Sequence, residues 1–150
     1  MSKLRRNGFT LIEVLIVVVI TAILAATLVP LFSSSTQDAK LSTVEIYVHS
    51  LRAQIELYRA DHHTIYPMII NNTLLQLTST TDVNGNIGSG AAFTLGPYIV
   101  AVPPNPFNGL TTTGPVPTAG TVPTGGDGRY GYQYDATTGN VYPDHLGWTP

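Results

Sequence analysis

Few residues in this chain have both the type and the spacing to do chemistry. His62 and His63 form the one adjacent histidine pair, with Asp61 beside them. Adjacent side chains on a helix diverge by about 100°, so the pair reads as a polar helix terminus and not as a metal site. Ser33, Ser34 and Ser35 are far in sequence from His63 and His145, which leaves a hydrolytic triad without support. Cysteine is absent, which excludes a disulfide framework, a thiol nucleophile and a cysteine zinc site. Asp127, Asp135 and Asp144, with Asn105 and Asn108, are the oxygen donors a hard cation could use. The oddest group is Glu13, an acid inside "GFTLIEVLIVVVITAIL". A carboxylate near a bilayer core costs about 2–3 kcal/mol, so it normally has a partner.

The element that must position Glu13 is an apolar run. Val14 to Phe32 contains no formal charge, and Lys3, Arg5 and Arg6 precede it. Such a run, helical, is close to a bilayer core in length. The basic start places the first residues in the cytoplasm and the remainder outside. An ordinary secretory signal expects a cut after the apolar stretch, near "AILAAT", but the apolar character continues through "LVPLF". Neither a cleaved signal nor a plain anchor accounts for Glu13.

At 150 residues the chain holds one modest domain beyond this segment. Only 11% of residues are charged, while Gly and Pro number 14 and 11, a balance that fits a loop-rich extracytoplasmic head. Apart from the three N-terminal cations, four basic residues face nine acids, and this argues against nucleic-acid binding.

"KLRRNGFTLIEVLIVVVITAILAATLVP" resembles the class III signal and hydrophobic stem of type IV pilins and type II secretion pseudopilins. The resemblance implies cleavage between Gly8 and Phe9 by a membrane prepilin peptidase, then N-methylation of Phe9. Gly8 has no side chain, so an extended backbone can enter a protease cleft. The new cationic amine and Glu13 are each expensive alone in low dielectric, and pairing them between neighbouring subunits offsets much of that. Glu13 then reads as an assembly group. The alternative pairs it with the Phe9 amine of its own chain, four residues away.

Downstream, Pro30 removes a backbone donor and is expected to kink or loosen the helix. Leu41, Val44, Val48, Leu51, Ile55 and Tyr58 then recur every three or four residues, with His62 next in phase. That stripe is expected to seat a small sheet, with Arg52 and Glu56 as an i,i+4 pair on its flank. One helix is expected from about Phe9 to His62, closed off by Pro67. "IELYRADHHTIYP" and "LLQLTS" resemble the end of the long helix and a short loop helix of major pseudopilins. "GPYIVAVPPNPFNG" resembles a family stretch with Asn105 and Phe107 in place of an acid and a tryptophan. "PYIVAVP" is a strand candidate, and the Gly/Pro/Thr-rich residues 108–128 read as a long loop. Tyr130, Tyr132 and Tyr134 alternate before "DATTGN", a hairpin signal with its aromatic face toward the helix.

The expected fold is therefore α+β and pilin-like, a long N-terminal helix on a small antiparallel sheet with long loops. The division is residues 1–8 leader, 9–33 transmembrane and polymerisation helix, and 34–150 head. The expected function is structural, with no catalytic residue: a filament subunit, nearest a type II secretion pseudopilin that aids protein export. The lack of a C-terminal cysteine pair tilts against a surface type IV pilin for adhesion, motility or DNA uptake. A monomeric membrane-anchored binding module using loop 108–128 is the reading from another class. Implied partners are further copies and other pilin-like subunits, the peptidase, the inner-membrane assembly platform and the membrane, with no nucleic acid. The implied location is the bacterial inner membrane, single-pass, with the head outside the cytoplasm, and a periplasmic or surface filament after assembly. Major pseudopilins hold calcium in a C-terminal loop. This chain ends in "DHLGWTP" without their closely spaced acids, so no cofactor is expected, with calcium as the alternative.

Overall fold

A computed structural model describes residues 9–146 and 148, and nothing is taken from the side chains of residues 29–34. It shows a helix-led α+β chain. Its elements are α1 (Leu11–Asp61), α2 (Leu75–Thr78), β1 (Thr113–Pro115), β2 (Tyr132–Asp135) and β3 (Asn140–Pro143). The chain divides into two compact units, Met1–Ala39 and Lys40–Pro150. The helical assignment runs through position 30 without a break, while the Pro30 side chain lies outside the described residues.

In the first unit every described side chain of the apolar run is exposed, from Leu11 at 88% to Leu28 at 47%. Leu11–Leu28 is long and apolar enough to cross a membrane. Its few polar side chains are satisfied inside the helix. Thr21 Oγ1 donates to Val17 O at 2.9 Å, and Thr27 Oγ1 donates to Leu24 O at 2.9 Å. Such back-bonding removes hydroxyls that lipid could not solvate.

The second unit has the core. Val44, Val48, Leu51, Ile55 and Tyr58 are buried on one face of α1 and cluster with Leu74, Leu77, Val102, Tyr132, Tyr134 and Val141. Leu41, the first member of the expected stripe, stays exposed. The helix ends one residue before His62. His63 and Thr64 both take positive φ, 51° and 66°, while Thr64 N donates to Arg59 O at 3.0 Å. This is a left-handed stop made without glycine, a conformation that disfavours a further helical turn.

The sheet order is β1-β2-β3. β2 and β3 pair antiparallel through the expected turn, with Tyr134 opposite Val141. Gly139 at φ +74° closes that turn, its N–H donating to Asp135 O at 2.8 Å. The sheet as a whole is mixed, because β1 pairs parallel to β2. Parallel pairing needs a long return path, and the Thr/Pro/Gly-rich stretch after β1 supplies it. Thus residues 108–128 are a loop except for β1.

Two local expectations are corrected. "PYIVAVP" forms no strand. Pro97, Pro103 and Pro104 offer no N–H, and Tyr98 N and Ile99 N both donate to Leu77 O at the end of α2. Arg52 does not pair with Glu56. Its Nη2 donates to Val141 O at 2.7 Å and its guanidinium lies over the Tyr142 ring, while Glu56 pairs with Arg59 at 2.8 Å. Arg52 borders the buried face, so the sheet is nearer to it than solvent is.

Candidate functional site

The stem's chemistry sits in its first turn. Thr10 precedes α1 and Glu13 lies within that turn. Thr10 N and Thr10 Oγ1 both donate to Glu13 Oε2, at 2.8 and 2.7 Å, and Glu13 N donates back to Thr10 Oγ1 at 3.3 Å. This reciprocal arrangement is a capping box, which satisfies N–H groups that a helix start leaves without intrahelical partners. A negative group here also complements the positive end of the helix dipole. The signal was present in the sequence as Thr10-Leu11-Ile12-Glu13, the S/T-x-x-E pattern, which a reading of Glu13 as a partner for the Phe9 amine leaves out.

The capping box engages only part of the carboxylate. It occupies Oε2 and aims the carboxylate, while Oε1 takes no hydrogen bond among the described residues. Phe9 is 86% exposed, and in the uncut chain its nitrogen belongs to a peptide bond. That amide nitrogen carries no charge that Glu13 could neutralise. Gly8, like Lys3, Arg5 and Arg6, lies outside the described residues.

The head's polar residues act differently. His62 is fully buried, with Nδ1 2.7 Å from Tyr58 O and Nε2 2.9 Å from Thr81 Oγ1. A carbonyl only accepts, so Nδ1 carries the proton. The ring stacks on Tyr58 at 3.7 Å. Both nitrogens are occupied, and His63 is exposed beyond the helix end. Asp61 accepts from Tyr98 OH at 2.9 Å, and burial together with that carboxylate pushes the Tyr98 phenol well above its ordinary range.

The donors considered for calcium are held by protein groups. Asp144 is fully buried. It accepts from Tyr130 N at 2.8 Å, Gln133 Nε2 at 3.0 Å and Gly128 N at 3.3 Å. Asp135 accepts from Gly120 N at 2.6 Å, Thr137 N at 2.9 Å and Thr138 Oγ1 at 2.9 Å. Asn105 bridges Gly131 O and Phe107 N, and Asn108 bridges Tyr130 O and Leu110 N. No group of three or more His, Asp and Glu side chains converges among the described residues. Asp144 and Asp135 each accept several N–H or hydroxyl donors, and exposed Asp127 accepts from Arg129 N at 3.0 Å.

Two further features were invisible in the sequence. Gln76 joins the loop after α1 to the next turn, accepting from Met68 N and donating to Gly85 O, both at 2.6 Å. His145 stacks on Phe107 at 3.9 Å. Neither has a local motif, since each partner lies many residues away.

A family model described as the prokaryotic N-terminal methylation motif matches residues 3–29. The chain is 37% identical over 67 residues to the type II secretion system core protein G of Pseudomonas aeruginosa, covering 45% of this chain and 46% of that protein. The protein of the same name from Aeromonas hydrophila is 34% identical over 67 residues, 45% of this chain and 46% of its own length. A fimbrial protein of Neisseria meningitidis is 34% identical over 80 residues, 53% of this chain and 45% of that one. The chain thus spans about half the length of the curated relatives it matches. No solved structure matches it.

Proposed function

We propose that the chain is a structural subunit of a type IV pilus-like filament, closest in role to a type II secretion pseudopilin, and not an enzyme. One observation carries the reading. The methylation motif coincides with an exposed apolar helix whose single acid is aimed by its own capping box and keeps one oxygen free. A stem that buries nothing within its own unit needs an apolar environment, first lipid and then the stems of other subunits. Residues 1–8 are the leader, residues 9–33 the membrane and polymerisation segment, and residues 34–150 the head. Prepilin peptidase cuts after Gly8 and methylates Phe9, and the inner-membrane platform adds the subunit to the growing fibre. Glu13 neutralises the Phe9 amine of a neighbouring copy, and Pro30 lets the helix bend. The head lies outside the cytoplasm, and the reading gives it no calcium; its support is that Asp144 accepts from Gly128 N, Tyr130 N and Gln133 Nε2.

The similarity to a fimbrial protein favours a second reading, a surface pilus subunit with the same stem chemistry. Both require polymerisation, which a monomeric anchored binding module does not. The test is the mass and fate of the chain in its native cell. Mature protein should begin at N-methylated Phe9, and Gly8→Val should leave an uncut precursor in the membrane. A mature terminus near Ala25 would mean ordinary signal cleavage and would end both readings. Fibres sheared from the surface, as against fibres confined to the periplasm, separate the two.

A further inference from the structure

The corner after β3 carries an apolar side chain that the head does not cover. Trp148 N donates to His145 O at 3.4 Å, and Leu146, within that span, is 81% exposed. Aromatic packing holds the corner on both sides. The buried His145 ring stacks on Phe107 at 3.9 Å, and the Trp148 ring lies 5.7 Å from that of Tyr142. Trp148 also lines one cleft with Val44 and Val48 of α1 and Pro143 of β3. Leu146 is therefore held outward by a frame to which its own side chain contributes little.

That frame belongs to the part of the head that follows the apolar run most closely along the chain. Lys40 Nζ lies 5.9 Å from the centre of the Phe107 ring, and Val44 and Val48 are the first buried members of the α1 stripe. Leu28 ends the membrane-length run, and Lys40 comes twelve residues later on the same helix. Twelve residues span about 18 Å as helix. Whatever angle the two units take, this corner is tethered to the bilayer by a short link, which turns a weak apolar contact into an intramolecular one. The residue types suit that surface. Tryptophan is enriched at the membrane–water boundary, where its ring meets apolar groups and its N–H stays wet. Lysine lays its methylenes on apolar surface and keeps its ammonium among headgroups. Leucine supplies apolar area for insertion. Val100 is more exposed still, at 99%, but it shares its cleft with Thr73, Thr78 and Thr111.

We propose that Leu146 and Trp148, with Lys40 beside them, dock the base of the head on the lipid bilayer, where headgroups meet acyl chains. Leu146 enters the acyl boundary, the Trp148 indole lies at the headgroup level, and Lys40 faces lipid phosphate. The head is thereby held against the membrane while the subunit is single, and a neighbouring copy has to displace lipid to reach this corner. The docking rests on the membrane-anchored stem of the proposed function and does not require polymerisation.

Trp148 is the only tryptophan of the chain, so its fluorescence reads this corner directly. The full chain is reconstituted into vesicles of phosphatidylethanolamine and phosphatidylglycerol, with and without lipid brominated high on the acyl chain. Resistance to carbonate extraction reports insertion of the stem. In the parent, brominated lipid should quench Trp148, and the vesicle should shield it from iodide. Leu146→Asp should lose the bromine quenching and regain iodide quenching, whereas Leu146→Phe should keep the parent behaviour. Val100→Asp, the same kind of change in another cleft, should leave both readings unchanged. Leu146 and Val100 are both exposed, so the thermal midpoints of the variants should match the parent, which separates lost docking from misfolding. An extractable chain would overturn the anchored stem and the docking together. A retained chain whose Trp148 is not quenched by brominated lipid overturns the docking alone, and so does quenching that persists in Leu146→Asp. Iodide shielding that grows with protein density, without bromine quenching, would mark a second copy as the occupant and overturn it too.

Discussion

Two stretches of α1 use the same helical period for opposite ends. In Leu11–Leu28 apolar side chains cover every face and none is buried, whereas Val44, Val48, Leu51, Ile55 and Tyr58 form one stripe at 6% exposure or less. Polar groups differ in the same way. The stem settles Thr10, Glu13, Thr21 and Thr27 within one turn of themselves, while the head sends Arg52, Asn105, Gln133 and Asp144 to partners far along the chain. A segment with no packed partner must satisfy its polar groups locally, and a segment inside a fold can use them to hold loops. The stem leaves its apolar surface uncovered, and the head spends its side chains on its own packing.

The largest effect that sharpens this contrast is at Glu13. Glu13→Leu should leave insertion and cleavage intact, since the stem becomes more apolar. Fibre recovery should fall to near background, because each incoming Phe9 amine would meet no carboxylate. Glu13→Gln should fail nearly as far, the missing element being charge. Wild-type fibre yield from the Leu variant, measured as the fraction of processed protein in sheared fibres, would remove the assembly role.

Truncating one isoleucine in each region comes next. Ile55 is fully buried, so Ile55→Ala should destabilise the head by about 2–5 kcal/mol. Ile16, 51% exposed, should give no shift in the head's thermal or denaturant midpoint when changed to Ala. Equal losses at both positions would erase the distinction between stem and head.

A smaller effect is expected at Asp144. Asp144→Ala leaves Tyr130 N and Gln133 Nε2 without their acceptor and should cost roughly 1–3 kcal/mol. Chelation of divalent cations should leave the parent's melting temperature unchanged. A chelator-dependent drop abolished by Asp144→Ala would show that the carboxylate holds a metal after all.

The smallest effect is a pH dependence. Burial opposes the charge on Asp135, but hydrogen bonds from Gly120, Thr137 and Thr138 outweigh it and hold the carboxyl below its ordinary range. The exposed Asp82 is lowered too, chiefly by the Asn86 side chain. A depressed folded pKa contributes stability that is complete above the unfolded value, about 3.9, and is lost as pH falls through the folded one. Head stability should therefore hold from neutral pH to about 4 and decline below it. Asp135→Asn should flatten part of that acid limb in denaturant titrations. An unchanged slope would mean that the Asp135 hydrogen bonds contribute nothing to folding.

Much of the architecture was legible because it is periodic or contiguous. The apolar run, the Val44-to-Tyr58 stripe with His62 in phase and the Tyr132/Tyr134 hairpin all follow from nearest neighbours along the chain, while the short helix at "LLQLTS" was legible only through the family resemblance. The capping box was equally local, a four-residue pattern around Thr10 and Glu13. The misses share one cause. β1 has no hydrophobic alternation and exists only because β2 lies beside it, whereas "PYIVAVP" looks like a strand but Tyr98 N and Ile99 N both bond to Leu77 O. Arg52 had a reasonable partner four residues on, yet Val141 O comes to it across the fold.

Sequence alone was enough to determine the stem: its helix, its apolar surface, its acid and its start signal. Those properties depend on residues within one or two helical turns, and an isolated segment already expresses them. Only the tertiary structure decided the parallel pairing of β1, the double engagement of His62 and the hold of Asp144 on the turn before β2. The β1 pairing, the His62 Nε2 bond to Thr81 and the Asp144 bonds join groups distant in sequence, whereas His62 Nδ1 to Tyr58 O lies within one helical turn. A buried polar atom must find a partner wherever the packing leaves one. That choice is made in three dimensions, so no spacing along the chain records it.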